Sequence, residues 1–391
     1  MQGSSARLFY LSHLCTGALI AAIGCAGGDD GGATSGSTST SGQASAGSSS
    51  SSSSESSSSR GEGGSDSATT GDSATSTGAA TEQSSGSSAD PSTGDEPADP
   101  RLEALITYAP RVWLHSEEQY FPSSVEFAFA EMTRSLGGDG RFWIRSKAGL
   151  GSPSDTLPFF AGELATAPVY AFYADKGEGV IDLVYFFWYP YNRGKSAVDT
   201  IWGNHVGDWE HITVRLLRGD DESLSPAQVY LSAHSFGGAY DWLDVERYDE
   251  THPVVYSAWG SHGLWRDPGD HVYMTIGEEI LGVCATLVCI DLVDRTDAGI
   301  AWDTWQRLVG FDYGEQTGLG GAAWPVWMDD DFTAPGPAPA EVPGGGPIYR
   351  WGDPEDCSTL GVDISDLIGV CRLEDGPTGP VSKGVWGAEL Q

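Results

Sequence analysis

The chain has 391 residues and a formal net charge of −35, with 55 acidic and 20 basic side chains. Such acidity opposes contact with nucleic-acid phosphates and anionic membrane surfaces, so we expect no nucleic-acid partner. The length allows more than one domain, but the first quarter of the chain is too poor in large apolar residues to form a globular core.

Residues 1–25 predict an export signal, because Arg7 precedes an apolar run at 8–23. The sequence Ala-Ile-Gly at 22–24 followed by Cys25 resembles a bacterial lipoprotein signal, although leucine is usual at position 22. We therefore expect Cys25 to be lipidated and to anchor an exported bacterial protein to the outer membrane or cell surface. The alternative is an ordinary secretory signal cut nearby.

Residues 26–99 consist of Ser, Gly, Thr and Ala with scattered acids. This composition cannot offset the entropy of ordering, so the stretch is predicted to be a disordered tether. Residues 100–391 hold all 14 tryptophans and are predicted to form a single domain with one large core.

The predicted elements of that domain are mostly short strands. A first helical turn or two at 101–107 precedes a strand at 111–115, a helix at 125–134 capped by Ser124, and a strand at 142–146. Further strands are predicted at 168–175, 180–189, 208–217, 227–234 and 253–259, with a helix at 303–308. Short strands between Gly-rich loops favour a mainly β fold, an antiparallel β-sandwich with loop and short-helix insertions.

Four cysteines lie in the globular part, and an even number in an exported domain predicts two disulfides. We expect local pairing among the three possible connectivities, Cys284 with Cys289 and Cys357 with Cys371. A zinc site is the alternative, but these spacings are not usual for zinc ligands.

Residues 203–211, Gly-Asn-His-Val-Gly-Asp-Trp-Glu-His, form the most informative stretch of the chain. Side chains alternate along a strand, so Asp208 and Glu210 are predicted to share a face. His205, on a preceding turn, can fold onto that face, and the three side chains together predict a divalent-cation site. The alternative is a buried hydrogen-bond network at the end of the strand.

His234 and His262 each lie at the end of a predicted strand, and each, like His205, lies close to a glycine. The three imidazoles could therefore gather at one end of the sandwich. Trp209 and Trp259, near these histidines, could supply stacking surface for a ligand. His211, on the opposite face of its strand, is predicted to lie at the edge of the core.

Several segments resemble the vacuolar protein sorting-associated protein 62 family, of which 203–211 is the most specific. The others are Tyr-Ala-Pro at 108–110, Tyr-Phe-Pro-Ser-Ser-Val-Glu at 120–126, Tyr-Pro-Tyr-Asn at 189–192, Pro-Val-Val-Tyr at 253–256 with Gly-Ser-His at 260–262, and Gly-Pro-Thr-Gly-Pro at 376–380. The resemblance covers about residues 101–391 except for the loops near 149–165 and 284–301. The family name records a sorting phenotype and implies little biochemistry.

A more distant resemblance is to the necrosis- and ethylene-inducing-like cytolysins, whose hallmark shares the pattern His-x-x-Asp-Trp-Glu with residues 205–210. In those proteins the matching His, Asp and Glu belong to a divalent-cation site that binds the sugar head of a sphingolipid. The resemblance implies a metal role for His205, Asp208 and Glu210, and it places His262 where a further rim histidine stands.

The leading hypothesis is a surface-tethered binding module, not an enzyme, in which Ca²⁺ or Mg²⁺ rather than Zn²⁺ binds a glycan or lipid head group. His234, His262, Trp209 and Trp259 would contact the ligand. The first alternative is a metal-dependent hydrolase with Glu210 or His262 as general base. The second is a structural surface protein whose histidine cluster only stabilises the sandwich.

Overall fold

The computed structural model describes residues 99–138, 140–148, 157–197, 200–234, 237–276, 290–329, 332, 349–359, 362–363, 371 and 373–391. The predicted export signal, the lipidation site Cys25, the tether up to residue 98 and the pair Cys284 and Cys289 lie outside these residues and stay predictions.

Within these residues the chain forms two α-helices and 21 strands. The helices are α1 (Pro100–Thr107) and α2 (Val125–Phe129). The strands are β1 (Arg111–Leu114), β2 (Met132–Leu136), β3 (Phe142–Ser146), β4 (Val169–Gly177), β5 (Val180–Asn192), β6 (Lys195–Ala197), β7 (Thr200–Trp202), β8 (His205–Arg218), β9 (Leu224–Leu231), β10 (Gly238–Asp241), β11 (Arg247–Tyr248), β12 (His252–Ser257), β13 (Leu264–Trp265), β14 (Gly269–Ile276), β15 (Ile290–Thr296), β16 (Ile300–Asp303), β17 (Leu308–Asp312), β18 (Thr317–Gly318), β19 (Tyr349–Arg350), β20 (Ser358–Thr359) and β21 (Val362–Asp363).

Short 3₁₀ helices lie at Pro158–Ala161, Trp242–Asp244, Thr304–Arg307, Val326–Met328, Pro380–Ser382 and Gly384–Trp386. Of the helices in the described part of the chain, none has both the length and the apolar character needed to cross a bilayer.

A seven-stranded sheet of order β10-β9-β8-β5-β4-β17-β18 forms the centre of the fold. β5 and β8 pair antiparallel along nearly their whole length, from Val180 opposite Leu217 to Asn192 opposite His205. Every residue of β5 after Val180 is buried, as expected for an aromatic run covered on both faces. This sheet separates two apolar cores.

The first core lies between the central sheet and a five-stranded sheet of order β11-β12-β1-β16, with β13 paired to β12. Side chains from β5 and β8 pack there against Val112, Val255 and Trp302 of the smaller sheet. The second core, on the opposite face, is dominated by aromatic rings and is covered by β19-β3-β2, α2 and the segment around Val385. A β-sandwich architecture, mainly β as predicted, is therefore confirmed.

The sheets are mixed, which corrects the antiparallel prediction. β1 with β12, β4 with β17 and β3 with β19 are parallel pairs. Each parallel partner arrives from a distant part of the chain, so local strand spacing carries no signal for it.

The helix predicted at 125–134 is wrong in its second half. Ser124 caps α2 as expected by accepting a hydrogen bond from the Phe127 amide at 3.0 Å. The helix ends at Phe129, however, and Met132 to Leu136 pair with β3. This long-range pairing buries Met132 and Arg134, which local helical spacing could not foresee.

One predicted disulfide is present, between Cys357 and Cys371. The backbone carbonyl of Cys371 accepts a hydrogen bond from the Gly203 amide at 2.8 Å. The disulfide is thereby attached to the start of the motif segment at 203–211.

Candidate functional site

The predicted alternation along β8 is confirmed. Asp208 lies opposite Tyr189 and Glu210 opposite Phe187, both first-core residues of β5. Farther along β8, Ile212, Val214 and Leu216 lie in the first core, whereas Trp209 lies in the second. The two carboxylates thus share the first-core face, where that face meets the end of the sheet.

Gly207 explains how His205 joins them. Its φ of +72° lies in the left-handed region, and a Cβ there would come within 2.1 Å of the Trp351 carbonyl oxygen. The alternation shifts at this residue, because Val206 and Trp209 both lie in the second core although they are three positions apart, an odd number. His205 is the first residue of β8, not part of a preceding turn, and it lines the same cavity as Asp208 and Glu210.

The tautomer of His205 follows from its hydrogen bond. Nδ1 lies 2.7 Å from the Gly207 carbonyl oxygen, so Nδ1–H donates and Nε2 keeps its lone pair. Burial lowers the pKa of His205, although the neighbouring Asp208 carboxylate opposes this shift. The neutral ring therefore offers one nitrogen as a ligand atom, the arrangement common for metal-binding histidines.

His262 lies behind Asp208, fully buried. Its Nε2–H donates to the Tyr120 carbonyl oxygen at 3.0 Å, and Nδ1 lies 3.0 Å from Asp208 Oδ2. The ring stacks on Tyr189 with centroids 3.8 Å apart. Both nitrogens are engaged, so His262 as placed here orients Asp208 and does not face the cavity.

Glu210 is held by Ser232, whose hydroxyl donates a short hydrogen bond to Oε2. Burial, and then the nearby Asp208 carboxylate, raises the pKa of Glu210 well above its ordinary value. Two carboxylates that share one buried face have this effect, because ionising both costs Coulomb energy.

His234 is fixed by Asp294, to which its Nε2–H donates at 3.0 Å. The same fully buried carboxylate accepts from Lys195 at 2.8 Å, Ser261 at 2.7 Å and the indole of Trp265 at 2.9 Å. Burial by itself would raise the pKa of Asp294, but His234 and Lys195 together hold it well below its ordinary value. β9 ends at Leu231, and His234 lies in the segment that follows it, with a left-handed φ of 53°.

A cavity of about 210 Å³ joins these groups. It is lined by His205, Asp208, Glu210, Ser232 and His234, and also by Asn192, Trp209, His211, Tyr230, Ser261, Asp375, Pro377, Lys383, Gly384, Val385 and Gln391. The C-terminal segment from 375 to 391 therefore forms one wall. Lys176 attaches that segment to the central sheet by donating to the carbonyls of Val385 and Gly387 at 2.6 and 2.8 Å.

The two predicted ligand-binding tryptophans lie elsewhere. Trp209 borders the cavity, but it is 1% exposed and its ring packs in the second core against Trp188 and Trp351. Trp259 is not among the residues that line the cavity. Its Nε1–H donates to the Glu117 carbonyl at 3.0 Å. Neither ring is presented to the cavity in the way that the sequence suggested.

Among the described residues, the ligand atoms of one group of three lie within 4.8 Å of one another, namely Glu355, Cys357 and Cys371. The two cysteines form the disulfide, so their sulfurs are not free to bind a cation. A cation bound by His205, Asp208 and Glu210 would draw these three side chains closer than they lie here.

Several lining residues carry no local sequence signal. Lys383, Asp375 and Gln391 come from the C-terminal segment, far along the chain from β8. Asp294 lies in β15, a strand that the sequence did not predict, and nothing local identifies its partners. Long-range contacts alone bring these residues to the site.

The fold and site define a mainly β protein with a polar cavity at the end of its central sheet. Residues 132–286 match the model of the vacuolar protein sorting-associated protein 62 family, which confirms the predicted resemblance over that stretch. The chain is 31% identical over 156 residues to vacuolar protein sorting-associated protein 62 of Saccharomyces cerevisiae, and 31% identical over 160 residues to the putative vacuolar protein sorting-associated protein TDA6 of the same yeast. The matches cover 36% of this chain but only 30% and 31% of those proteins.

Solved structures with a similar arrangement include proteins of the necrosis- and ethylene-inducing group. Necrosis and Ethylene inducing Protein 2 from the agent of cocoa's Witches Broom disease is 23% identical, covers 42% of this chain and 67% of its own, and has a TM-score of 0.28. The non-toxic HaNLP3 protein is 14% identical, covers 60% and 82%, and has a TM-score of 0.32. NLPPya in complex with glucosamine is 19% identical, covers 44% and 70%, and scores 0.29. TM-scores this low carry no inference about function.

Proposed function

We propose that the cavity at the end of β8 binds a polyhydroxylated ligand, a glycan or a lipid head group, and that a divalent cation contributes to binding. The observation that carries this proposal is that acid, imidazole, hydroxyl and amide groups converge on one cavity of about 210 Å³. Polar groups placed in this way fix the orientation of a small ligand.

The cation is supported by the atoms that the internal hydrogen bonds leave uncommitted. His205 keeps the lone pair on Nε2, because Nδ1–H is bound to Gly207. Asp208 and Glu210 each use one oxygen for His262 and Ser232, and in the described part of the chain no hydrogen bond involves the other. A set of one imidazole and two carboxylates, with room for ligand oxygens, suits Ca²⁺ or Mg²⁺ better than Zn²⁺ in a structural site.

The placement of His262 favours binding over hydrolysis. A hydrolase would need a free base beside the metal-bound water. His262, one of the two candidate bases, has both ring nitrogens engaged and is fully buried. Glu210, the other, is assigned to the cation in this proposal and so is not a free base beside it.

The test is the metal content of the purified full chain after equilibration with calcium, magnesium, manganese and zinc, beside a His205→Ala/Glu210→Ala variant. The expected result is one equivalent of calcium or magnesium in the native protein and none in the variant. A His252→Ala/Glu222→Ala variant is the matched control, because neither residue lines the cavity, and it should keep the metal. Absence of metal from all three proteins would refute the proposed cation, and bound zinc would favour the hydrolase alternative.

Sugar binding is measured separately, by calorimetry with galactose in the presence of calcium and again with EDTA. The proposal predicts that EDTA weakens binding while the unfolding temperature changes little. Equal binding with and without EDTA would show that no cation contributes and that only protein groups bind the sugar.

A further inference from the structure

His211 is a buried histidine without a hydrogen-bond partner. It is 5% exposed, and neither ring nitrogen makes a hydrogen bond within the described part of the chain. The Gln391 backbone lies close enough to influence the pKa of the His211 ring, but the two groups do not have hydrogen-bond geometry. A buried imidazole with both nitrogens unpaired is costly to folding, so such a group in a native fold calls for an explanation.

The ring lies beside the cavity and contacts two aromatic rings. Phe186 lies on one side with ring centroids 5.4 Å apart, and Tyr230 lies parallel to it at 5.5 Å. His211 lines the cavity together with Tyr230, although it lies on the opposite face of β8 from Glu210. The cavity therefore extends around the edge of the strand, from the carboxylates to His211.

Lys383 lies at this second end. It is the one cationic side chain among the described residues that line the cavity, and its charge acts on both Glu210 and His211. In the described part of the chain, Lys383 forms no ion pair within 4.0 Å.

Each acid that the structure describes at the cavity wall has one hydrogen-bond partner, and none of these acids lies within 4.0 Å of the Lys383 ammonium. Asp208 Oδ2 lies 3.0 Å from His262 Nδ1, Glu210 accepts from Ser232, and Asp375 accepts from the Glu355 amide at 2.8 Å. Among the described residues, the Lys383 ammonium group has no ion pair, and the neighbouring His211 imidazole has no hydrogen-bond partner. Together they offer two hydrogen-bond donors without an acceptor.

We propose that His211 and Lys383, which we call the Lys383 subsite, bind an oxyanion of the ligand, either a carboxylate or a phosphate. Lys383 would supply charge and His211 one N–H donor, a charge-assisted arrangement stronger than bonds between neutral groups. This inference rests on the proposed function and narrows it, since the ligand would be an acidic or phosphorylated sugar rather than a neutral one. The hydroxyls would lie toward His205, Asp208 and Glu210.

The test is calorimetric titration of the full chain with galactose, galacturonate and galactose 6-phosphate. The expected result is that at least one of the two anionic sugars binds about tenfold more tightly than galactose. The stronger of the two identifies the oxyanion that the subsite takes. Lys383→Gln should reduce this preference to about one, and His211→Phe, which keeps a ring between Phe186 and Tyr230, should also reduce it.

Lys147→Gln is the control for the overall charge of the protein. Lys147 is exposed, donates to the Ala130 carbonyl and does not line the cavity. Its removal should leave the preference for anionic sugars unchanged.

Three outcomes would overturn the inference. These are equal affinity for galactose and both anionic sugars, a preference that survives Lys383→Gln, and no binding of any of the three sugars. Metal content reports on the proposed cation independently. A preference for anionic sugars that is lost in Lys383→Gln but insensitive to EDTA would uphold the Lys383 subsite and refute the cation. Bound metal without a preference for anionic sugars would uphold the cation and refute the subsite.

Discussion

His262 Nδ1 lies 3.0 Å from Asp208 Oδ2 inside the protein, and the other ring nitrogen, Nε2, lies 3.0 Å from the Tyr120 carbonyl oxygen. Both ring nitrogens are therefore engaged, and the imidazole fixes the orientation of the Asp208 carboxylate. His262 thereby holds Asp208 at the cavity.

This arrangement predicts unequal effects for two substitutions. His262→Phe keeps the ring stacked on Tyr189 but leaves the Asp208 carboxylate buried without its partner, so we expect a loss of about 3–5 kcal/mol in the free energy of unfolding. Asp208→Asn should cost only about 1 kcal/mol, because the amide N–H can donate to His262 Nδ1. Denaturant unfolding of both variants measures this, and equal losses would contradict the role of His262 in holding Asp208.

Two glycines of the motif provide a matched comparison. Gly207 has φ +72° and no room for a side chain, since a Cβ would lie 2.1 Å from the Trp351 carbonyl oxygen and 2.5 Å from the Trp188 ring. Gly203 has φ +79° but nothing within 4 Å of the Cβ position. We expect Gly203→Ala to cost about 1–2 kcal/mol of backbone strain, and Gly207→Ala to cost more than about 3 kcal/mol through added clashes. Thermal unfolding distinguishes them, and similar losses would show that strain alone matters.

His211 predicts a specific dependence of stability on pH. Burial, and to a lesser extent Lys383, lowers the pKa of His211 from 6.5 to about 3. Between these values the unfolded chain binds a proton that the folded protein excludes, so this residue's contribution to stability falls as the pH drops below 6.5. It changes by about 1.4 kcal/mol per pH unit.

The measurement is the free energy of unfolding of the native protein and of His211→Phe at several pH values from 7 to 5. The variant should gain stability relative to the native protein as the pH falls. The raised pKa of Glu210 has the opposite effect, because it makes stability fall as the pH rises above the ordinary pKa of a glutamate. This contribution is present in both proteins and does not change the comparison. A difference between the proteins that is independent of pH would refute the neutral, buried assignment.

The disulfide predicts an effect on both stability and the site. Cys357 and Cys371 are separated by 14 residues, so replacing both with alanine should cost about 3 kcal/mol through the gain in unfolded-state entropy. Because the Cys371 carbonyl is bound to the Gly203 amide, the segment leading into His205 should also exchange its amide hydrogens faster. Chemical unfolding and hydrogen exchange measure these effects. A variant lacking Cys284 and Cys289 serves as the comparison, and equal exchange at Gly203 in both would contradict the link.

The amino-acid sequence by itself determined the features that depend on neighbours along the chain. Alternation placed Asp208 and Glu210 on one face with Ile212, and Ser124 marked the start of α2, because strand and helix geometry repeat over a few residues. The strand predicted at 180–189 corresponds to β5 for the same reason. The bounds of β3, Phe142–Ser146, also follow from local pattern.

Tertiary structure decided the rest. The end of α2 was set by the pairing of Met132 with Ser146, the burial of Trp209 by rings from distant segments, and the parallel pairs by chain paths between remote strands. The partners that determine the chemistry, Asp294 for His234 and Lys383 for His211, lie 60 residues or more away in sequence. Such contacts form only when whole sheets pack together, because hydrophobic burial is a property of the assembled layers and has no period along the chain.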